Sequence, residues 1–247
     1  MIPKIIHYCW FGRGEMPALE KRCILSWKKK LPGYEIKEWN EDNFDVGAHV
    51  FTKEAYELRK FAFVADYVRL WALANEGGIY MDTDVEVLDS LDDLLRHPAF
   101  VGMESSSLVS TGIMGSEKGG AWVRKQFGLY VHRHFLKEGR TPNLTPNTKI
   151  ITDSMVAEGF VLNNEIQDFK GEVVVYPQDW FSPKNFLTGV VCLTSNSRTI
   201  HHNAGSWSSP LVKMKKKILR PIRRFFPNAF TIVKNFYHHL SGEKNEK

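Results

Sequence analysis

Apolar and polar positions along the chain follow two periods, and the change from one to the other predicts the elements. Residues 2–11 are a short, mostly apolar run that reads as a buried strand. Residues 16–30 mix Lys and Arg with apolar positions at helical spacing and close on Leu31-Pro32-Gly33. Residues 34–39 read as a short strand ending at Trp39-Asn40. From 53 to 76, Ala55, Leu58, Ala62, Ala65, Val68 and Ala72 recur as on one long helix, with a C-terminal signal in Asn75-Glu76-Gly77-Gly78. An apolar strand with an acidic end is expected over 79–87, a turn of helix from 91 to 95 and a strand over 100–103. Further on, the pattern predicts a helix over 121–138, a polar Pro-containing loop over 139–149 and a short helix over 153–159. A strand at 173–176 is stopped by Pro177, and a late strand falls at 199–201. Strands alternating with helices place the chain in the α/β class.

The chemistry concentrates where the long helix meets the acidic strand. In Gly77-Gly78-Ile79-Tyr80-Met81-Asp82-Thr83-Asp84, two carboxylates stand one residue apart. On a strand they share a face, and like charges held that close call for a positive group between them. A divalent metal carrying a phosphate-rich ligand meets that need. The helix before them carries Asp66 and Arg69 in an apolar setting, three residues apart and so on one face. A carboxylate there accepts from sugar hydroxyls, and a guanidinium reaches a phosphate or the sugar. A structural ion pair is the plainer account of the same two residues, as a solvated turn is for the two aspartates.

The run Phe63-Val64-Ala65-Asp66-Tyr67-Val68-Arg69-Leu70, then Gly77-Gly78-Ile79-Tyr80-Met81-Asp82-Thr83-Asp84, resembles the sugar-binding region of the DXD glycosyltransferases of family 32. These include yeast mannosyltransferases and bacterial capsular polysaccharide transferases and, more distantly, the catalytic domain of the clostridial glucosylating toxins. The opening Ile2-Pro3-Lys4-Ile5-Ile6-His7-Tyr8-Cys9-Trp10-Phe11-Gly12 and the closing Ile200-His201-His202-Asn203-Ala204-Gly205-Ser206-Trp207 resemble the ends of the same domain. The resemblance covers residues 1–210 and is thinnest between 105 and 195. It implies a nucleotide-sugar-binding fold of the GT-A type, a central mixed sheet flanked by helices, and metal-dependent transfer with retention at the anomeric carbon. Trp10 is then expected to stack on the base, and Tyr80 and Asp82 to face the ribose, the sugar or metal-bound water. Asp66 and Arg69 hold the sugar and the phosphate side, and Ser206 and Trp207 reach the diphosphate. Asp84, with Asp82, ligates Mn²⁺ or Mg²⁺, and His202 supplies the distal ligand, with His201 as the fallback. His7 reads as a structural histidine. Glu104 and Asp153 are carboxylates without a motif, and Ser110-Thr111-Gly112-Ile113-Met114-Gly115 either lines the acceptor pocket or is a plain strand and turn.

Other motifs are incomplete. Gly12-Arg13-Gly14 follows the first strand, but Pro17 stands where a dinucleotide fingerprint needs its third glycine. Asp82-Thr83-Asp84-Val85 imitates the nucleophile loop of haloacid-dehalogenase-type phosphatases, yet about 80 residues of α/β pattern precede it. A non-catalytic nucleotide-sugar-binding or scaffold protein is the alternative from a different class.

Composition adds two things. Cys9, Cys23 and Cys192 form no paired spacing, so neither a disulfide framework nor a zinc site is indicated. Charge is uneven: residues 211–247 carry ten Lys or Arg against two Glu, while the whole chain is only +5, so the first 210 residues are net acidic. Leu211, Met214, Ile218, Leu219 and Ile222 fall near one helical face beside Lys213, Lys215, Lys216, Lys217 and Arg220. A basic amphipathic tail of this kind suits an anionic membrane surface, and no nucleic-acid motif accompanies it. The expected organisation is a catalytic domain over 1–210 and a tail over 211–247. With no evident leader or spanning segment, the expected location is cytoplasmic and peripheral on the inner face of the membrane. The expected partners are a nucleotide-sugar donor and a glycan acceptor, lipid-linked where the tail reaches a membrane.

Overall fold

The computed structural model describes residues 1–186 and 188–205. Its elements run in the order β1 (Ile5–Cys9), α1 (Ala18–Lys30), β2 (Glu35–Trp39), α2 (Val50–Glu57), α3 (Phe61–Glu76), β3 (Gly78–Met81), β4 (Val85–Val87), β5 (Ala99–Ser105) and β6 (Leu108–Ser116). Then follow α4 (Ala121–Gly128), α5 (Asn147–Ala157), β7 (Gln167–Phe169), β8 (Val173–Tyr176), α6 (Gln178–Phe181) and β9 (Thr199–His201). Seven strands form one mixed sheet in the order β2-β1-β3-β6-β5-β8-β7, and β4 pairs with β9 in a separate two-stranded sheet. Met1–Pro183 and Leu193–Ala204 form one compact unit, and Lys184–Cys192 falls in a second. The expected boundary at residue 210 and the basic tail lie outside the described residues.

Side-chain alternation on the strands builds two cores. Tyr80, Val101, Met103 and Met114 face α2, α3, α4 and α5. Ile6, Ile79, Met81, Phe100 and Ile113 face Trp27 of α1, the β4 strand, Leu91–Leu95 and Phe181 of α6. Each strand of the sheet centre is covered on both sides, which is why its residues read as continuous apolar runs.

His7 ties three elements at one buried point. Trp39 of β2 donates its indole N–H to His7 Nδ1 at 3.1 Å, and His7 Nε2–H donates to the Gly77 carbonyl at 2.7 Å. Burial lowers its pKa, so the neutral ring with this tautomer is the stable form. Gly77 (φ 73°) and Gly78 (φ 108°) turn the chain from α3 into β3 in the left-handed region. A Cβ on Gly78 would lie 2.6 Å from the Ile5 carbonyl, so this turn demands glycine.

The structure corrects several expected boundaries. The single helix over 53–76 is two helices. Arg59, at φ 55°, donates to Tyr56 O and Lys60 donates to Ala55 O, a Schellman closure that ends α2 before α3 begins. The helix expected over 121–138 stops at Gly128, because Tyr130 and Phe135 turn into the core and Glu54 accepts from the Phe135 and Leu136 N–H groups. The short helix near 153 starts earlier, at Asn147 behind Pro146. The acidic strand over 79–87 is interrupted: β3 ends at Met81, and Val85 N–H closes a turn onto the Asp82 carbonyl at 3.0 Å before β4 begins.

Candidate active site

The break between β3 and β4 creates the site. Asp82 and Asp84 do not share a strand face, as alternation would have them do. They converge because the turn between them folds back. The Asp82 N–H donates to the Gly112 carbonyl of β6 at 2.8 Å, which anchors the start of the turn. Its end is held by β9: His202 N–H donates to the Asp84 carbonyl at 2.9 Å, and Ala204 N–H donates to Asp84 Oδ2 at 2.7 Å. The antiparallel pairing of β4 with β9 sets Val85 opposite His201. That register delivers the His201 ring to the carboxylates, with Nε2 3.3 Å from Asp84 Oδ1 and 3.9 Å from Asp82 Oδ2. One ligand atom from each of Asp82, Asp84 and His201 lies within 4.8 Å of the others.

Behind this triad sits Arg69. Its guanidinium is buried among acceptors: Nη1 donates to the Thr111 carbonyl at 2.5 Å, and Nη2 lies 3.0 Å from Asp66 Oδ1 and 3.3 Å from Asp82 Oδ1. Nε donates to Ala65 O at 3.2 Å, and the cation stands 4.6 Å over the Tyr80 ring. Tyr80 in turn donates its hydroxyl to Asp82 Oδ1 at 2.9 Å. Two of the guanidinium N–H groups thus donate to backbone carbonyls, and Nη2 lies between the two carboxylates. Burying a charge costs several kcal/mol unless its partners are well placed, and removing one partner of such a set costs about 3–5 kcal/mol. The sequence tolerates an Arg inside an apolar helix because Asp66, one turn away, and Asp82, across the sheet, both meet it.

Electrostatics separate the acids. Burial pushes the Asp66 carboxyl up to about 7, although Arg69 pulls against it. Burial also pushes Asp84 upward, but the neighbouring His201 and the Ala204 N–H outweigh it and hold Asp84 well below the ordinary carboxylate range. Burial lowers the His201 imidazole, yet Asp84, Asp82 and Glu104 overcome that and raise it to about 9. Glu104, on β5, is raised by burial within the same field.

The remaining expected residues fall in different places. His202 turns to Glu86, with Nε2 2.8 Å from Oε2, so the histidine beside the two aspartates is His201. Trp10 is half-buried at the end of β1 and donates its indole N–H to Gly14 O at 2.7 Å. Asp153 pairs with Lys149 on an exposed face of α5, away from the aspartates. Ser206 and Trp207 lie outside the described residues. The β6 carbonyls at Thr111 and Gly112 carry no sequence motif, yet they hold Arg69 and the Asp82 N–H. Between Val101↔Met114 and Met103↔Val109 the β5–β6 register shifts, so this stretch of β6 carries a bulge relative to β5. A Cβ on Gly112 would lie 2.8 Å from His201 Nδ1, so the glycine makes room for the ring. A glycine inside a strand is the one sequence signal that marks such a close approach.

Two carboxylate oxygens and an imidazole nitrogen are a fitting donor set for a hard-to-borderline divalent cation. Among the described residues, Arg69 and His201 are the cations that meet the clustered negative charge of Asp82 and Asp84. Ligation needs the neutral imidazole, so a cation must displace the His201 proton. The sign follows: below about pH 9 the proton competes, and affinity rises as pH rises toward that value. Calorimetric titration with Mn²⁺ or Mg²⁺ at pH 6.5 and 8.5 should show tighter binding at the higher pH and release of about one proton. An affinity unchanged across that range would separate His201 from the cation.

Residues 17–101 match the family model described as the glycosyltransferase sugar-binding region containing DXD motif. Inositol phosphoceramide mannosyltransferase 3 of Schizosaccharomyces pombe is 35% identical over 126 residues, 48% of this chain and 34% of that protein. The match thus spans about a third of the length of that relative. A glycosyltransferase of Acanthamoeba polyphaga mimivirus is 26% identical over 243 residues, 94% of this chain and 91% of its own. Among solved structures, the PaToxG glycosyltransferase superposes with a TM-score of 0.51 at 17% identity, covering 64% of this chain and 69% of that one, a likeness of fold. The sheet with its flanking helices is the GT-A fold expected from the sequence. The matched region holds Asp66, Arg69, Asp82 and Asp84, and over it the chain is similar to the DXD glycosyltransferases.

Proposed function

We propose that this protein transfers a hexose from a nucleotide sugar to a glycan acceptor, with a divalent metal, Mn²⁺ or Mg²⁺, held by Asp82, Asp84 and His201. The observation that carries this reading is the convergence of those three side chains beside the Asp66–Arg69 pair. A bound cation would supply positive charge to the departing nucleoside diphosphate. Asp84 is poised for ligation because it stays ionised, and the backbone N–H of Ala204 fixes its orientation. Arg69 keeps Asp82 and Tyr80 in place. Asp66, at the margin of ionisation, accepts from hydroxyls of the donor sugar.

In the transfer, the bond from the anomeric carbon to the diphosphate oxygen breaks as the bond to the acceptor oxygen forms, and the acceptor proton passes to the departing phosphate. The sugar carries oxocarbenium character between the two. Retention requires attack from the face that the diphosphate leaves. His202 takes the role of holding the Asp84 turn through Glu86 and the Asp84 carbonyl, in place of the ligand role expected for it. Trp10, Ser206 and Trp207 remain the residues proposed for the nucleotide.

The donor is a UDP- or GDP-hexose, and the acceptor belongs to surface polysaccharide or lipid-linked glycan assembly. The mannosyltransferase relatives support the hexose. The basic segment at 211–247 supports work at an anionic membrane face, and no helix among the described residues is long and apolar enough to cross a membrane.

Incubation with a panel of UDP- and GDP-sugars, with Mn²⁺, Mg²⁺ or EDTA, should release nucleotide from one donor in a metal-dependent way. Asp84→Asn should lower that release at least about 100-fold. Release that survives EDTA and Asp84→Asn would overturn the metal reading, and nucleotide binding without release, even with acceptor extracts, would favour a non-catalytic binding protein. Deleting residues 211–247 should abolish salt-sensitive sedimentation with phosphatidylserine vesicles, and undiminished sedimentation would dismiss the tail as the membrane contact.

A further inference from the structure

Helix α1 has two unlike faces. Glu20, Cys23 and Trp27 are buried on the inner one. There Trp27 donates its indole N–H to the Val85 carbonyl at 2.7 Å, and Val87 N–H donates to Ser26 Oγ at 2.9 Å. The inner face is thereby fixed to β4, the strand that follows Asp84. At about 100° per residue, Lys21, Arg22, Leu25, Lys28 and Lys29 fall within about 120° of arc on the opposite side, with Leu25 near the middle. All five are exposed. Leu25, at 61% exposure, stands further into solvent than any other large apolar side chain in a helix of the described residues.

The helix dipole explains only part of this charge. It favours cations in the last turn, which accounts for Lys28, Lys29 and Lys30. Lys21 and Arg22 stand in the first half of α1, where the dipole offers a cation nothing. What the cations share with Leu25 is a face, not a helix end. Neutralising partners are also scarce. Lys21 meets the exposed Glu15 at 2.9 Å, but Arg22, Lys28 and Lys29 have no ion pair among the described residues. Elsewhere Lys125 of α4 pairs with Glu158, and Lys149 of α5 with Asp153. The one acid of α1, Glu20, is buried on the inner face. This cationic face belongs to a stretch, residues 1–210, that is net acidic.

A leucine held out among four cations suits one kind of surface. Anionic headgroups take the ammonium and guanidinium groups, and the apolar layer beneath them takes the leucine. A soluble polyanion would use the charges and leave Leu25 in water. We infer that the outer face of α1 docks the folded domain on an anionic membrane, with Arg22, Lys28 and Lys29 on lipid headgroups and Leu25 inserted between them. The inference extends the membrane reading proposed above to the folded domain and draws on residues outside the tail. Because the inner face of α1 is hydrogen-bonded to β4, this contact also orients the Asp82–Asp84 turn against the lipid surface.

The test is sedimentation of the full chain with vesicles of 30% phosphatidylserine in phosphatidylcholine. Each cation near such a surface contributes about fivefold, so Arg22→Gln, Lys28→Gln and Lys29→Gln together should weaken binding about 100-fold. Leu25→Ser should weaken it about threefold to tenfold. A nitroxide on Leu25→Cys, in a Cys192→Ser background that removes the exposed thiol, should become more accessible to oxygen than to a nickel chelate when vesicles are added. Every substituted position is exposed, and thermal melting checks that each variant folds. Parental affinity in the triple variant would overturn the inference. So would loss in the triple variant with parental binding by Leu25→Ser and a nitroxide that stays in water, which would assign the face to a soluble polyanion. Weakening by the α1 variants while deletion of 211–247 changes nothing would support this contact and dismiss the tail alone. The reverse pattern would dismiss α1 alone, and failure of the parent chain to sediment would dismiss both.

Discussion

The site is organised around one buried positive charge. Arg69 lies on an apolar helix beneath the sheet, where an unpaired guanidinium would not be tolerated. It is held there by Asp66 from its own helix, Asp82 from the end of β3, the Thr111 carbonyl from β6 and the face of Tyr80. The partners come from three elements, so the requirement to satisfy this charge fixes α3, β3 and β6 against one another. The same requirement sets where Asp82 points, and the turn that follows carries Asp84 to its place. Arg69 thus contributes first by geometry, holding the residues of the site against one another.

Repulsion between Asp82 and Asp84 is the second constraint. The protein offsets it with Arg69 on one side and His201 on the other. A group of acids that a fold brings together against their mutual repulsion marks a functional site, because stability alone would not select it. The opposite displacements of Asp84 and Asp66 separate the two acids: Asp84 stays ionised beside His201, and Asp66 sits near neutrality beside Arg69. The bulge in β6 serves both, since Thr111 and Gly112 supply the carbonyls that hold Arg69 and Asp82.

Much of this was legible in the residue pattern. The runs at 2–11, 34–39 and 173–176 announced buried strands, and the Asp66–Arg69 spacing followed by Gly-Gly and two aspartates announced the site. What the pattern did not carry depends on contacts distant in sequence. The break in the long helix comes from Arg59 adopting a left-handed conformation, which no apolar periodicity reveals. The choice of His201 over His202 follows from the register of β9 on β4, where a one-residue slip would exchange them. The Asp-X-Asp pair lies on a turn because Gly112 captures the Asp82 N–H, an interaction with a strand 30 residues further on. Ser206, Trp207 and the basic tail were legible as motifs and lie outside the described residues.

The central claim is that Asp82, Asp84 and His201 hold a divalent cation that also grips the donor's diphosphate. The most direct test is the mutual dependence of the two ligands, followed by water-proton relaxation with Mn²⁺ and UDP. The account predicts that the protein takes up a single Mn²⁺, that UDP tightens it, and that Mn²⁺ tightens UDP by the same factor, as linkage requires. Mn²⁺ affinity indifferent to UDP, or UDP bound equally well in EDTA, would contradict it.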